Sequence, residues 1–353
     1  MTTIDRAVDF ILTHGAPNLR YRIRREVLGT PADAPEMRAL QEVILRLPRV
    51  KKAFACQRED GFFGRVLHGV PFDAFDSTVD LLKRHGVELT DPHLTAAGEA
   101  LIRWPEADYP RDHFYKAGNA MDEHGRGGFR AIIADQLVEL GADEATPQVR
   151  DEINRALAAF AGSLAHTSID DFSRPAAFRG QPCRYYIKGA PFPAANHVSL
   201  LAKTLPWRTA ANLAMVRRAY AHCRALMRGY AGGVIYVNCG HFVGPFNYPW
   251  NAEPQPLTLR GFDAHPIDFA WFMKGLSSAS TTYPTFGEDD PYLAEALREW
   301  LADNSFADRL TDEQLRMFKQ YAALEPAWRR RESLLCDLYF PLVIGLTRGG
   351  VYK

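Results

Sequence analysis

The densest group of chemically capable side chains lies in residues 236–272, where His, Tyr and acidic residues alternate with aromatic residues. Such side chains can take up or donate protons, and aromatic rings can stack on an apolar or sugar-like ligand. We therefore predict that His241, Tyr248 and Asp263 are catalytic. The candidate substrate-binding residues of the same segment are Phe246, Trp250, Glu253 and Trp271.

Other interpretations of this segment stay open. Asp263 precedes a predicted helix, where a carboxylate commonly serves as N-cap. Cys239 and His241 are of ligand types that suit zinc, but "NCGH" lacks the spacing of a known zinc site. We accordingly predict no metal and no cofactor. The segment is also consistent with a long loop whose aromatic side chains pin it to helices.

A second group lies in "PRDHFYKAGN" and "MDEHGRGG". His is the natural proton carrier near neutral pH, and Tyr can act beside it. We predict His113 and Tyr115 as catalytic residues, with Asp122 and His124 following them in the chain. The alternative is a solvated polar loop.

Paired carboxylates are the third candidate, in "HTSIDDFSRP". Neighbouring carboxyl groups can separate their pKa values into an acid and a base. We predict Asp171 as the general acid, although adjacent aspartates in such a turn also serve as caps or ion-pair partners. His68, in "QREDGFFGRVLHG", is predicted to bind substrate, the alternative being packing of the turn.

The composition is that of an ordinary globular protein. Lys+Arg and Asp+Glu both number 42, so no net charge favours nucleic acid. The five cysteines form no CxxC pair, which favours a reducing compartment. Charges interrupt the first apolar run, and no run approaches the about 18 apolar residues of a membrane helix. We expect a cytoplasmic protein with a small-molecule substrate, no nucleic-acid partner and no membrane span, while the oligomeric state stays open.

The elements that must position these residues are predicted to be helices. Ile4, Ala7, Val8 and Ile11 form one apolar stripe at helical spacing. Further helices are predicted at 17–29, 35–47, 49–56, 73–85, 92–103, 128–140, 147–166, 196–204, 208–230, 263–276, 290–302, 311–322 and 326–346. The strand-like runs are too few and too isolated to predict a sheet.

Residues 104–127, 167–195 and 231–262 interrupt this pattern, because they are rich in Pro, Gly, Asp and aromatic residues. Long segments of this kind in a helical domain are usually functional or poorly ordered, and their aromatic content argues for order. No low-complexity linker separates the helices. We therefore predict a single domain over residues 1–353.

"VKKAFACQREDGFFG" resembles the QW-type repeat of the terpene cyclase and prenyltransferase family. Lys52, Ala53, Phe54, Gln57, Gly61 and Phe63 occupy the basic, small, aromatic, Gln, Gly and aromatic places of the repeat. The resemblance implies an all-α fold, the α/α toroid, with aromatic-rich loops over a central cavity. It also implies that Gln57 ties one helix end to the next. The acid motif Asp-x-Asp-Asp of class II cyclases is absent, and so is the Asp-rich magnesium motif of class I.

Three functions follow as hypotheses. The first is an enzyme that acts on an isoprenoid-like or other apolar small molecule by acid/base chemistry in an aromatic-lined cavity. The second is a carbohydrate-active lyase or hydrolase of the same fold, acting on an oligosaccharide. The third is a non-catalytic binding protein.

Overall fold

The structure, a computed structural model, describes most of the first two thirds of the chain and parts of the remainder. The residues described are 3–103, 120–125, 127–178, 180–227, 230, 235–236, 281–282, 285–286, 310–316, 324–325 and 330–350. This part of the chain is mostly helical, which confirms the predicted helical class in its coarse form.

The helices begin and end close to the predicted bounds. They are α1 (Thr3–His14), α2 (Pro17–Arg22), α3 (Pro35–Leu45), α4 (Pro48–Phe54), α5 (Phe75–Arg84), α6 (Pro92–Arg103), α7 (Phe129–Glu139), α8 (Pro147–Ser163), α9 (Ala195–Lys203), α10 (Ala210–Met227), α11 (Asp312–Arg316) and α12 (Arg331–Arg348). A π-helical turn, Ile23–Val27, continues α2. Proline opens α2, α3, α4 and α8, at the position where its missing N–H costs no helical hydrogen bond. The helices predicted at 263–276 and 290–302 lie outside the described residues.

A small sheet forms where the sequence predicted none. β1 (Ser173–Phe178) and β2 (Gln181–Tyr186) pair antiparallel, with Ser173 opposite Tyr186. β3 (Ile235–Tyr236) pairs in parallel with β2 through Arg184 and Ile235. β1 and β2 carry little alternation of apolar and polar residues and each contains a proline, so the pattern that identifies strands is weak here.

The chain divides into two compact units. Unit 1 comprises Met1–Ala55, Asp80–Glu88 and Pro254–Lys353, and unit 2 comprises Cys56–Val79 and Leu89–Glu253. The single domain predicted over 1–353 stays a prediction.

Each unit has its own apolar core. In unit 1, α1 packs on α12, which is buried along most of its length. In unit 2, α7, α8, α9 and α10 pack around fully buried side chains such as Phe160 and Tyr220. Beside the sheet, the rings of Phe172 and Phe192 stack with centroids 4.0 Å apart. None of the helices in the described part of the chain is long and apolar enough to cross a membrane.

Candidate functional site

The candidate site is a histidine–carboxylate pair in unit 2, formed by His68 of the loop that precedes α5 and Asp76 of the first turn of α5. Nδ1 of His68 lies 2.5 Å from Oδ2 of Asp76. Asp76 is largely buried, its side chain 14% exposed, whereas the His68 side chain is 48% exposed. Asp76 is therefore enclosed by the protein, whereas the ring of His68 is accessible to solvent.

The backbone explains why two residues eight positions apart meet. Two stretches of the loop run side by side, with the amides of Phe75 and Asp76 donating to the carbonyls of Val66 and Leu67. The amide of Arg65 in turn donates to the carbonyl of Asp73 at 2.8 Å. Because Leu67 faces Asp76, the next residue, His68, lies against the Asp76 side chain.

The bend between these stretches is strained. Phe72 has a φ of +74°, the only positive φ of a non-glycine residue among those the structure describes. Its amide donates to Oγ1 of Thr78 at 2.9 Å, and that bond helps to hold the bend. A bulky side chain in the left-handed region costs of order 1–3 kcal/mol, and such costs cluster at functional sites.

A second device anchors the base of the loop. The side-chain amide of Gln57 donates to the carbonyls of Gly61 and His93, at 2.8 and 2.7 Å, the latter in the first turn of α6. Gly61 has a φ of +91°, and a Cβ there would lie 2.5 Å from the carbonyl oxygen of Ala96. Phe63 is completely buried. The Gln57 side chain thus ties the loop that follows α4 to the first turn of α6.

Asp76 sets both the orientation and the protonation of His68. The carboxylate also accepts from the amides of Ser77 at 2.6 Å and Gly69 at 3.4 Å, so it is fixed in place. Its hydrogen bond raises the pKa of His68 above the ordinary value of 6.5, although desolvation opposes the shift. The bond to Asp76 thus fixes the ring of His68 through Nδ1.

The other reactive group of this loop is unsuited to nucleophilic chemistry. Cys56 is half-buried, and burial raises the pKa of its thiol above the ordinary 9.0. The thiolate, not the thiol, is the nucleophile. Proton transfer is therefore the chemistry that this loop can perform.

A second histidine–carboxylate pair, His197 and Glu152, lies buried in unit 2 with 1% of each side chain exposed. Nδ1 of His197 accepts from the amide of Ala194 at 3.3 Å. Nε2 must therefore carry the hydrogen that it shares with Oε1 of Glu152, 3.3 Å away. Both ring nitrogens are used within the fold.

Charged groups surround this buried pair. Burial raises the pKa of Glu152, but His197 and Arg155 outweigh it and lower the pKa overall. Asp122 accepts from the amides of Gly128 and Arg130 at the start of α7, and burial, with the charge of Glu152, raises its pKa to about 6. Asp122 is a second group that can exchange a proton near neutral pH.

Asp171, the predicted general acid, lies in an exposed turn and serves as a cap. Its Oδ2 accepts from the amides of Thr167 and Ser168, at 2.6 and 2.9 Å, and from the Thr167 hydroxyl. The bond from the Thr167 amide contributes most to lowering its pKa. A general acid must hold a proton at its working pH, so this geometry fits the capping alternative.

The other predicted site residues lie outside the described residues. They are His113, Tyr115, His241, Phe246, Tyr248, Trp250, Glu253, Asp263 and Trp271. Within the described ranges, no group of three or more His, Cys, Asp or Glu side chains could hold a metal ion.

Sequence reasoning chose His68 but missed Asp76. The aspartate stands in the first turn of α5, where the usual interpretation is a helix cap, and nothing in the spacing reveals the pairing of the loop. Compared with protein-family models, curated proteins and solved structures, the chain matches none of them.

Proposed function

We propose that the chain is an acid/base enzyme in which His68 moves a proton and Asp76 orients it. The single observation that carries this proposal is the pairing of an exposed imidazole with a buried, hydrogen-bonded carboxylate. The same division of roles supports proton transfer wherever a carboxylate holds a histidine by one nitrogen and the other faces the substrate.

The favoured step is proton abstraction from a carbon or hydroxyl of the substrate. An imidazole is an effective base but a weak acid toward an isolated double bond. In this step Nε2 takes the substrate proton, and the positive charge on the ring is stabilised by Asp76 at 2.5 Å from Nδ1. The proton then returns to another atom of the product or to water.

The proposed substrate is an isoprenoid-like or other apolar small molecule, and the proposed architecture is the α/α toroid. Both come from the resemblance at 50–64, and the hydrogen bonds of Gln57 support the part of it that concerns the fastening. An oligosaccharide is the second candidate, favoured by one observation. His68 lies on an exposed loop beside the ion pair of Arg65 with Asp73, 2.6 Å apart, surroundings that suit a polar substrate.

The test begins with the purified protein and native mass spectrometry of the small molecules that it retains. An isoprenoid or a sugar identified in this way, together with compounds of the same class, is then used in an assay of proton transfer, followed by deuterium exchange from solvent. His68→Gln is expected to lower the rate about 10²–10⁴-fold, the usual contribution of a positioned acid or base.

Arg58→Gln is the matched control, because it breaks the exposed ion pair with Asp60 in the same loop without removing a proton carrier. It is expected to leave the rate within about threefold of the parent. Equal rates in the parent and His68→Gln proteins would refute the proposal. The third hypothesis, a binding protein, gains if a ligand is retained and no exchange occurs.

A further inference from the structure

Unit 1 contains a cavity that the acid/base proposal does not use. Its volume is about 330 Å³, within the range of small-ligand sites. It lies at the end of α1, next to α2 and the start of α12. The residues that line it are Thr13, His14, Gly15, Arg20, Arg330 and Glu332.

Positive groups dominate this lining. Two guanidinium groups and an imidazole line the cavity with one carboxylate, that of Glu332. Both guanidinium groups also act electrostatically on the carboxyl of Glu325, which lies behind the lining, although burial raises the pKa of that carboxyl overall. Neither Arg20 nor Arg330 forms an ion pair with a carboxylate in the part of the chain that the structure describes, and Nε of Arg20 has no hydrogen-bond partner there. Planar guanidinium groups of this kind match the geometry of carboxylates and phosphates.

The start of α12 adds to the positive potential. Arg330 is the N-cap residue of this 18-residue helix, and its side chain forms no capping hydrogen bond. The first amides of a helix have no partner within it, and the helix dipole places partial positive charge at that end. Glu332, in the first turn, offsets part of this charge.

Buried carboxylates fix the walls of the cavity. Asp337 of α12 accepts from the amides of Leu324 and Glu325, at 2.9 and 3.2 Å. Glu325 in turn accepts from the amide of Ala16, which follows the cavity residue Gly15. The turn at the end of α1 is thereby tied to α12, and the two arginines are carried on elements that are held together.

We propose that this cavity binds a small organic anion, a phosphate ester or a carboxylate, that also carries a hydroxyl or amino group. Arg20 and Arg330 bind the anionic group, while Glu332 accepts a hydrogen bond from the hydroxyl or amino group. The site belongs to unit 1 and is independent of His68 and of the reaction proposed for it.

The test is isothermal titration calorimetry of the full chain with pyrophosphate and with citrate. These two probes share multiple negative charge and separate phosphate from carboxylate chemistry. We expect one of them to bind with one molecule per chain. Arg20→Gln and Arg330→Gln are each expected to weaken that binding at least about tenfold, since each removes a bidentate partner.

Arg38→Gln is the control, because Arg38 is an exposed arginine of unit 1 that does not line the cavity. It keeps the total charge equal to that of the test variants and is expected to bind like the parent. Arg330 is exposed, so we expect its substitution to leave the fold intact, and melting curves check both cavity variants. Binding of neither probe, or equal weakening in all three variants, would overturn the proposal.

Discussion

His68 and His197 both face a carboxylate in unit 2, yet the two pairs differ in their exposure and in their hydrogen bonds. His197 is buried and uses both ring nitrogens, one toward the amide of Ala194 and one toward Glu152. Nδ1 of His68 pairs with Asp76, and nearly half of the His68 side chain is exposed. The difference shows that a histidine–carboxylate distance alone does not describe such a pair, because the exposure of the ring decides whether molecules from solvent can reach it.

The largest expected effect comes from breaking the buried pair. Glu152→Ala removes the buried carboxylate that pairs with His197 and with Arg155. We expect a loss of about 3–5 kcal/mol in the free energy of unfolding. Urea denaturation followed by circular dichroism measures it. Glu99→Ala, which breaks an exposed pair with Arg103 in the same unit, is the control and is expected to cost less than about 0.5 kcal/mol.

The second effect concerns the pH dependence of the buried cluster. The pKa of Asp122 is raised from 3.8 to about 6, so the folded state binds its proton more tightly than the unfolded state. The stabilisation is complete below pH 3.8 and is lost as the pH rises through about 6, a change of about 3 kcal/mol. As the pH rises from 3.8 to about 6, the free energy of unfolding of the parent is expected to fall relative to that of Asp122→Asn.

Asp171→Asn is the control, because the contribution of Asp171 to the free energy of unfolding changes with pH in the opposite direction. Hydrogen bonds, the largest from the Thr167 amide, lower the pKa of Asp171. Its contribution is therefore present above the ordinary value of 3.8 and is lost as the pH falls through the lower, folded-state pKa. If the free energies of unfolding of the two variants, each relative to the parent, changed with pH in the same direction, the raised pKa of Asp122 would be contradicted.

A smaller effect is expected when the exposed pair is broken. His68→Gln removes an ion pair whose imidazole is 48% exposed, so we expect the free energy of unfolding to change by less than about 1 kcal/mol. The same denaturation experiment measures it. A loss as large as that of Glu152→Ala would show that His68, like His197, is a structural residue.

The smallest effect is a change of titration without a change of fold. Because the hydrogen bond to Asp76 raises the pKa of His68, Asp76→Asn is expected to lower that pKa. Histidine-selective NMR spectra recorded across the pH range follow the ring directly. An unchanged pKa of His68 in Asp76→Asn would contradict the role of this hydrogen bond.

The sequence predicted the helices well because their signals are local. Prolines at the first helical positions and a 3.6-residue apolar stripe act within one or two turns, and the observed bounds follow them. The hairpin of β1 and β2 was missed, because its pairing depends on contacts across the strands rather than on an alternating pattern.

The candidate site was predicted only in part, for a similar physical reason. His68 was recognisable as a titratable residue beside a glycine-rich turn, but Asp76 becomes its partner only when the loop folds back at Phe72. His197 and Glu152 are 45 residues apart and meet through the packing of α8 and α9. Spacing along the chain carries no information about such a meeting.

The double hydrogen bond of Gln57 has a consequence for local unfolding. One side-chain amide joins the carbonyl of Gly61 in the loop to that of His93, 36 residues away at the start of α6. Elements tied in this way open together, as one cooperative unit with a shared opening free energy. Amide hydrogens of the His68 loop and of the first turn of α6 should thus exchange with solvent deuterium at a common protection level, and Gln57→Ala should uncouple them.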